Sequence, residues 1–357
     1  FIFPKHVIDQ KGDMKRTVLG TGPFKLKEYM RGVKFSLEKT PDYWVKGQPY
    51  LDGIDWYIIM DAGAQFAAIR TGQVQVEIPV NHALLPAQIN ILKKEIPGIQ
   101  LQDRNWALNH YFGVNVERKP WTDIRVRKAA FLAMDREAWL KVVLQGSGEI
   151  GGFFIPGGYY AYTLDELRTW PGYGKDKDKE RAEGKKLMAE AGYPDGLELG
   201  EGIIVRNTKE QMDIAIFTAD QLAKVGIKAV VRPLDSAEHK LRLFNRNFDT
   251  GVKRAIGHGE PDIIGANYFV TGGGENFTGL VTPEIDKIFA EQAQTVDPAK
   301  RKALVQKAEK LYYEQYGSLI LGWVTGPAIL WPEVKGWNNP NRPFLPSRMW
   351  DSVWLAK

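Results

Sequence analysis

An arginine and a histidine flank a glycine-rich break in the segment 248–269, and their spacing suits the binding of a polar small molecule. The segment begins as a predicted strand and breaks at Gly257-His258-Gly259. Glycine on both sides of a histidine lets the backbone approach another group closely and leaves its N–H and C=O groups open. Arg254 and His258 would share one face of an extended chain. The alternative is an ordinary strand exit with a surface arginine, and these residues alone leave both interpretations open.

Catalytic and metal-binding patterns are missing from the sequence. There is no Gly-x-Ser-x-Gly, no paired acid/base motif and no cysteine, and the five histidines lack the spacing of His-Glu-x-x-His. The stretch 20–24, GTGPF, resembles a phosphate loop, but a predicted strand follows it where a phosphate loop needs a helix. The sequence therefore favours a binding protein over an enzyme and predicts no cofactor and no metal.

Length and composition set broad limits. The 357 residues suffice for two domains, and 44% hydrophobic with 25% charged residues is ordinary for a globular protein. A net charge of +5 without a Lys/Arg run does not indicate nucleic acid, and no apolar run approaches the ~18 residues of a membrane span. The opening at Phe1, without a signal peptide or an initiator Met, predicts a processed or truncated chain.

Helical and strand periodicities predict α/β architecture with two lobes and mixed sheets in each. A predicted hairpin over 20–39 and alternating strands and helices over 54–103 form one block. The clearest unit is 202–231, a strand, a helix and a strand that should be parallel to the first. Its helix is preceded by Asn207-Thr208-Lys209-Glu210, a capping-box pattern. Two earlier helices of the middle region are also predicted to have caps. Asp123 or Thr122 would cap the first, and Asp135 would cap the second.

Several short motifs occur in order along nearly the whole chain. They are Phe3-Pro4-Lys5-His6, Gly20-Thr21-Gly22-Pro23-Phe24, Pro41-Asp42-Tyr43-Trp44, Asn115, Pro120-Trp121-Thr122-Asp123-Ile124-Arg125-Val126-Arg127, Ala133-Met134-Asp135-Arg136-Glu137, Ala189-Glu190-Ala191-Gly192-Tyr193-Pro194-Asp195-Gly196, Gly226-Ile227-Lys228 and Val353-Trp354-Leu355. Each motif is short, and the specificity comes from their order and spacing. Together they resemble the extracellular solute-binding proteins of the peptide/nickel/opine class, family 5, which serve ABC importers.

The resemblance implies a periplasmic-binding-protein-like fold of class II, or cluster C, with a hinge and an interlobe ligand cleft. Lobe I would be residues 1–104 plus 326–357 and lobe II residues 105–325. The hinge crossings would lie near 101–108 and 323–329. Family members usually carry a further N-terminal portion before the motif at residue 3, and this sequence does not contain it, so lobe I is expected to be incomplete at its N-terminus.

The segment 254–261 departs from the family pattern in an informative way. In the family's oligopeptide and dipeptide binders, an Asp three residues before the acidic-Pro pair receives the α-ammonium of the ligand. Anchored on Glu260-Pro261, that position is Gly257 here. Because a buried ammonium without a carboxylate is costly, an ordinary free peptide is disfavoured as the ligand. Arg254 stands about where the family often has a tryptophan, and a guanidinium suits an anionic or hydroxyl-rich solute. Alternatively, Arg254 pairs with Asp249 or Glu260.

The sequence thus predicts a small-molecule-binding subunit that delivers a polar solute (peptide-like, opine, sugar or organic anion) to ABC permease subunits. A sensor or chaperone-like binding protein and, less favoured, a hydrolase stay as alternatives. The expected protein is a monomer, peripheral to the membrane, periplasmic or extracellular, with a lipid anchor on a preceding segment left open, and it binds no nucleic acid. The candidate ligand-binding residues are Arg254, Ile256, Gly257, His258, Asn276 and the hinge tryptophans Trp106 and Trp323.

Overall fold

The chain divides into two compact units, one formed by Phe1–Arg104 with Gly326–Lys357 and the other by Asn105–Thr325. The computed structural model describes residues 4–11, 18–78, 84–102, 108–256, 259–337 and 350–356. Its strands are β1 (Phe24–Met30), β2 (Lys34–Lys39), β3 (Gly53–Tyr57), β4 (Val76–Glu77), β5 (Gln100–Gln102), β6 (Leu108–Val114), β7 (Leu197–Arg206), β8 (Ile227–Leu234), β9 (Thr250–Ile256), β10 (Ser318–Val324), β11 (Ala328–Leu330), β12 (Val334–Lys335) and β13 (Trp354–Leu355).

Helices occupy most of the remaining regular structure, and none within the described ranges is long and apolar enough to cross a bilayer. A short π-helix, Gly265–Phe269, directly follows the tenth α-helix. The α-helices are α1 (Lys5–Lys11), α2 (Ala62–Arg70), α3 (Pro86–Glu95), α4 (Ile124–Ala133), α5 (Arg136–Val142), α6 (Leu164–Leu167), α7 (Lys177–Glu190), α8 (Lys209–Ala223), α9 (Ser236–Phe244), α10 (Pro261–Ile264), α11 (Pro283–Gln294) and α12 (Pro298–Tyr313).

In the first unit, the strands that the structure describes pair antiparallel, in the orders β1–β2–β3, β4–β11–β5 and β12–β13. The sequence led us to expect a mixed sheet here, and that expectation is wrong for the described strands. Alternating strand and helix patterns do not fix which strands pair, and β11 returns from the distant end of the chain to lie between β4 and β5.

The second unit is built on a mixed sheet with the order β10–β6–β9–β7–β8. The pairs β10–β6 and β6–β9 are antiparallel, whereas β7 pairs parallel with both β8 and β9. The parallel β7–α8–β8 unit predicted from the sequence is therefore confirmed, although β7 begins earlier, at Leu197. Every residue of β6 and β10 is buried, because helices cover both faces of the sheet.

Side-chain caps begin several helices of this unit at the positions that the sequence indicated. Asp123 accepts a hydrogen bond from the backbone of Arg125, and Asp135 accepts one from Ala138. These carboxylates satisfy N–H groups that have no partner inside the first turn of a helix. The caps of α4 and α5 predicted at Asp123 and Asp135 are thus confirmed.

A carboxylate is buried in the core beside β10. Glu309 of α12 is 1% exposed, and one of its oxygens accepts the Phe153 N–H at 2.6 Å. The neighbouring carbonyl of Gly152 accepts the indole N–H of Trp323 at 2.9 Å. Burial raises the pKa of Glu309 to about 8, although hydrogen bonds from the Phe153 and Phe154 backbones oppose the shift. Glu309 therefore fastens the loop 151–154 to α12, and Trp323 fastens it to the sheet.

We expect Glu309→Gln to gain stability relative to the wild type as the pH rises. A carboxyl with a raised folded-state pKa stabilises the fold below its ordinary pKa of 4.5, and that contribution is lost as the pH rises toward 8. The amide mimics the protonated form at every pH. The difference in unfolding free energy should grow by up to about 1.4 kcal/mol per pH unit between pH 5 and 7.5 in urea titrations. A pH-independent difference would contradict the assigned burial.

Candidate functional site

The carboxyl ends of β7 and β9 meet at one edge of the mixed sheet. Helix α8 leaves β7 on one face, where Ile203 and Val205 share a core with Ile214. Helix α9 lies on the opposite face, where its Leu243 packs with Ile204. Helix α9 follows β8, whereas α10 follows β9 and lies on the same face as α9, since its Ile264 shares a core with Ala255. The connections that leave β7 and β9 thus run to opposite faces at this edge. Such a switch point leaves a crevice at the carboxyl ends of the strands, which is where open α/β sheets bind ligands.

Arg254 lies near the end of β9, opposite His110 in the β6–β9 ladder. Glu210, in the first turn of α8, reaches both residues. One of its oxygens lies 2.8 Å from His110 Nε2, and the other lies 3.6 Å from a terminal nitrogen of Arg254. The Arg254 side chain is 17% exposed and that of Glu210 is 22% exposed, so the pair is accessible but partly desolvated.

His110 is completely buried, and its ring packs edge-on against Trp139 of α5. Its Nδ1 has no hydrogen-bond partner within the described part of the chain. We assign the tautomer with the proton on Nε2, because it donates to Glu210 and leaves no N–H group without an acceptor. His110 therefore orients Glu210, which in turn holds Arg254.

One arginine and one histidine complete the edge on the α9 side. Arg206, the last residue of β7, donates from Nε to the Ser236 hydroxyl at 3.1 Å. Burial lowers the pKa of Arg206, Arg254 lowers it further, and Glu210 opposes both. Burial also lowers the pKa of His239 to about 4, helped by the charge of Arg206, so His239 is neutral at neutral pH. The charged side chains of this edge, among the residues that the structure describes, thus include Arg206, Arg254 and Glu210.

The capping box expected at the start of α8 does not form. The N-cap is Thr208, which makes no side-chain capping bond, and Glu210 bonds to His110 and Arg254 instead of turning back to the N-cap backbone. The expected alternative partners of Arg254 are also wrong, because Asp249 pairs with Arg118 and Glu260 pairs with Arg301. Sequence spacing suggested a local partner for Glu210, but the sheet brings distant ones within reach.

Four further candidate residues are described only in part or not at all. Trp106, Gly257 and His258 fall outside the described residues, and of Ile256 only the backbone pairing with Leu108 is described. The predicted common face of Arg254 and His258 therefore stays a prediction.

Trp323 and Asn276 are both buried and engaged within the second unit. Trp323 is 1% exposed and donates to Gly152. Asn276 donates to the carbonyls of Leu280 at 2.8 Å and Val270 at 3.2 Å, and accepts from the Thr278 hydroxyl at 3.0 Å. These contacts use their polar atoms to hold loops together, and ligand contact by either residue stays a prediction.

A cavity of about 630 Å³ in the first unit is the main alternative place for a ligand. Strands β3 and β4 border it, and Trp56, Val76 and Trp350 contribute apolar walls. Glu77 also lines it, and burial raises the pKa of this carboxyl to about 8. The lining includes no Lys, Arg or His among the described residues, and no group of metal-ligating side chains occurs anywhere in that part of the chain. The edge of the second unit is the better equipped polar site.

Comparison with known proteins identifies the fold first. The structure of the ABC transporter-associated periplasmic binding protein DppA from Helicobacter pylori, in complex with the peptide STSA, matches with a TM-score of 0.82 at 20% identity. The match covers 99% of this chain and 67% of that one. The α/β fold is therefore that of the periplasmic binding proteins, as the sequence predicted.

Sequence comparison identifies the family. The model for bacterial extracellular solute-binding proteins, family 5 Middle, matches residues 2–277, so the chain belongs to this family. The glutathione-binding protein GsiB of Shigella flexneri serotype 5b (strain 8401) is 26% identical over 83% of this chain and 57% of its own length. The periplasmic oligopeptide-binding protein OppA of Escherichia coli K12 is 28% identical over 90% and 61%. The chain thus spans about three fifths of these relatives.

We expect Glu210→Ala to destabilise the protein by about 1–3 kcal/mol, because it leaves the buried His110 N–H without an acceptor. Glu210→Gln is the matched control, since its amide oxygen can still accept that hydrogen bond and should retain most of the stability. Urea unfolding of both variants at pH 7 measures the difference. Equal stability of the alanine variant and the wild type would show that the His110–Glu210 bond contributes nothing.

Proposed function

We propose that this chain is the solute-binding component of an ABC importer, acting in the periplasm or outside the cell. The observation that carries the proposal is membership of the extracellular solute-binding family over residues 2–277. In this role the chain captures a small polar solute, as a monomer, and delivers it to membrane permease subunits.

The ligand-binding face that we propose is the carboxyl edge of β7 and β9, with Arg254 as its central contact. The contacts that Glu210 makes to His110 and to Arg254 support this, because they fix the guanidinium in a partly desolvated setting where a charged hydrogen bond to ligand is strong. His258, Gly257, Ile256 and Trp106 would add to the same site. Trp323 and Asn276 would act mainly by holding the surrounding loops.

The solute that we propose is anionic or rich in hydroxyl groups. Glutathione and peptides are the ligands named for the relatives. Both contain carboxylates that an arginine can bind through two hydrogen bonds. An unmodified peptide amine stays disfavoured for this chain, since Gly257 offers no carboxylate and both oxygens of Glu210 already face His110 and Arg254.

Native mass spectrometry of the purified protein tests the binding function directly. We expect a co-purified solute with a defined mass that dissociates on activation. Uptake of that solute by cells with and without the gene then tests transport. Solute binding with unchanged uptake would favour the sensor or chaperone-like alternative, and adjacent permease and ATPase genes would favour import.

We expect Arg254→Ala to weaken the binding of an anionic solute by roughly 10- to 150-fold, since a charged hydrogen bond contributes about 1.5–3 kcal/mol and 1.4 kcal/mol corresponds to one decade. Calorimetry with glutathione, the peptide Ser-Thr-Ser-Ala and neutral sugars measures the change. Arg118→Ala is the matched control, because Arg118 pairs with Asp249 near the other end of β9. Tight binding of an unmodified tripeptide that Arg254→Ala leaves unchanged would show that the site is misassigned.

We also expect no catalytic turnover. The described residues contain no group of metal-ligating side chains, and His110 is enclosed and committed to Glu210. Assays with peptides, esters and glycosides should stay at background. Turnover that Arg254→Ala or Glu210→Gln abolishes would instead support the hydrolase alternative.

A further inference from the structure

The cavity of the first unit has the size and the lining of a small-molecule site. It lies between β3 and β4, and its volume of about 630 Å³ falls within the roughly 300–1,000 Å³ that is usual for ligand pockets. All of its lining residues belong to the first unit, whereas the carboxyl edge of β7 and β9 belongs to the second. The cavity is therefore a different site from the one proposed above for the solute.

Two tryptophans form an aromatic wall of this cavity. The ring centroids of Trp56 and Trp350 lie 6.2 Å apart in an edge-to-face arrangement. Trp56 also stacks on Phe35 at 5.7 Å, and Trp350 packs edge-on against Trp337 at 4.9 Å. Because a further ring holds each indole, the wall is in place before any ligand arrives. The faces of aromatic rings are electron-rich and attract cations.

A buried carboxyl group lines the same cavity. Glu77 is 8% exposed, and its Oε2 has no hydrogen-bond partner among the residues that the structure describes. Burial raises the pKa of Glu77 to about 8, since it disfavours the charged form. A buried polar atom without a partner costs free energy, and a ligand that donates a hydrogen bond to it would recover that cost.

The charges around the cavity favour a cation over an anion. Asp55 is the other acid of the lining, and it is already engaged with the Ser36 hydroxyl at 2.5 Å and the Lys34 amine at 3.6 Å. The described lining contains no Lys, Arg or His that could pair with Glu77. A ligand ammonium would provide both the missing donor and the missing counterion, whereas an anion would meet only carboxyl groups.

We propose that this cavity binds a small hydrophobic ammonium ion, whose N–H groups bond to the Glu77 carboxylate and whose apolar body packs on Trp56 and Trp350. A primary alkyl- or arylamine combines these two features. On binding, the proton of the Glu77 carboxyl group leaves to solvent and the ammonium takes its place. This ligand site is additional to the capture of a solute by the second unit and does not rest on it.

Calorimetry with three matched probes tests the inference. Phenethylamine, phenethyl alcohol and phenylacetate share a ring and a short chain, and at pH 7 they are a cation, a neutral molecule and an anion. Each is titrated into the wild type, Glu77→Gln and Glu309→Gln. The last variant is the control, because it makes the same change at a buried carboxyl of the second unit whose pKa is also raised to about 8. Thermal unfolding of all three proteins separates a change in folding from a change in binding.

We expect the wild type to bind phenethylamine more tightly than the alcohol, and phenylacetate most weakly. Glu77→Gln should weaken the amine by about tenfold or more, because it removes a charged hydrogen bond. The alcohol should bind Glu77→Gln as it binds the wild type, and Glu309→Gln should match the wild type with every probe.

Proton release gives a second measurement that needs no variant. With a pKa of about 8, Glu77 is mostly protonated at pH 7, so binding of the ammonium should release about one proton. Titrations of the wild type in two buffers of different ionisation enthalpy measure this number. Glu77→Gln should release none.

Four results would overturn the inference. They are failure of phenethylamine to bind the wild type, equal binding of the amine and the alcohol, amine affinity that Glu77→Gln retains, and amine binding without proton release. None of them bears on the proposed solute-binding function, which is tested by the solute and by Arg254→Ala in the other unit.

Discussion

The register between β6 and β9 is the constraint on which the candidate site depends. It places Arg254 directly opposite His110, and the parallel pairing of β9 with β7 brings the start of α8 to the same edge. A shift by one residue would turn Arg254 to the other face of the sheet, where Lys253 now pairs with Glu275 and lies over the Phe277 ring. The buried apolar residues of β9, Val252 and Ala255, resist such a shift because each is matched to the core on its own side.

Charge at this edge is arranged so that the protein tolerates it before a ligand binds. Glu210 offsets part of the positive charge, and the buried His110 holds the Glu210 carboxylate in place through Nε2. The pKa of His239 is lowered to about 4, so a fourth basic side chain in the region stays neutral. An arginine that is already oriented loses less conformational freedom on binding, which is the physical advantage of such preorganisation.

Two buried polar side chains outside this edge, Glu309 and Trp323, stabilise a loop. Glu309 accepts backbone N–H groups of the loop 151–154, and Trp323 donates to a carbonyl of the same loop. These side chains provide hydrogen-bond partners for backbone groups of a buried, irregular segment, where regular secondary structure provides none. From sequence alone, Trp323 beside a domain boundary suggests a ligand wall; in the structure its indole donates to the Gly152 carbonyl, and ligand contact stays a prediction.

Local sequence determined much of this protein: the helix caps at Asp123 and Asp135, the parallel strand–helix–strand unit ending in β8, and the solute-binding family. Alternation along the chain also singled out Arg254, because polar residues near a strand end are a local signal. The sequence did not reveal the central position of β11 or the partners of Glu210. Each of these depends on strand order, which long-range packing decides. Glu210 shows the reason: its spacing from Asn207 indicated a helix cap, yet the tertiary structure brought the more distant His110 and Arg254 within reach, and both now hold its carboxylate.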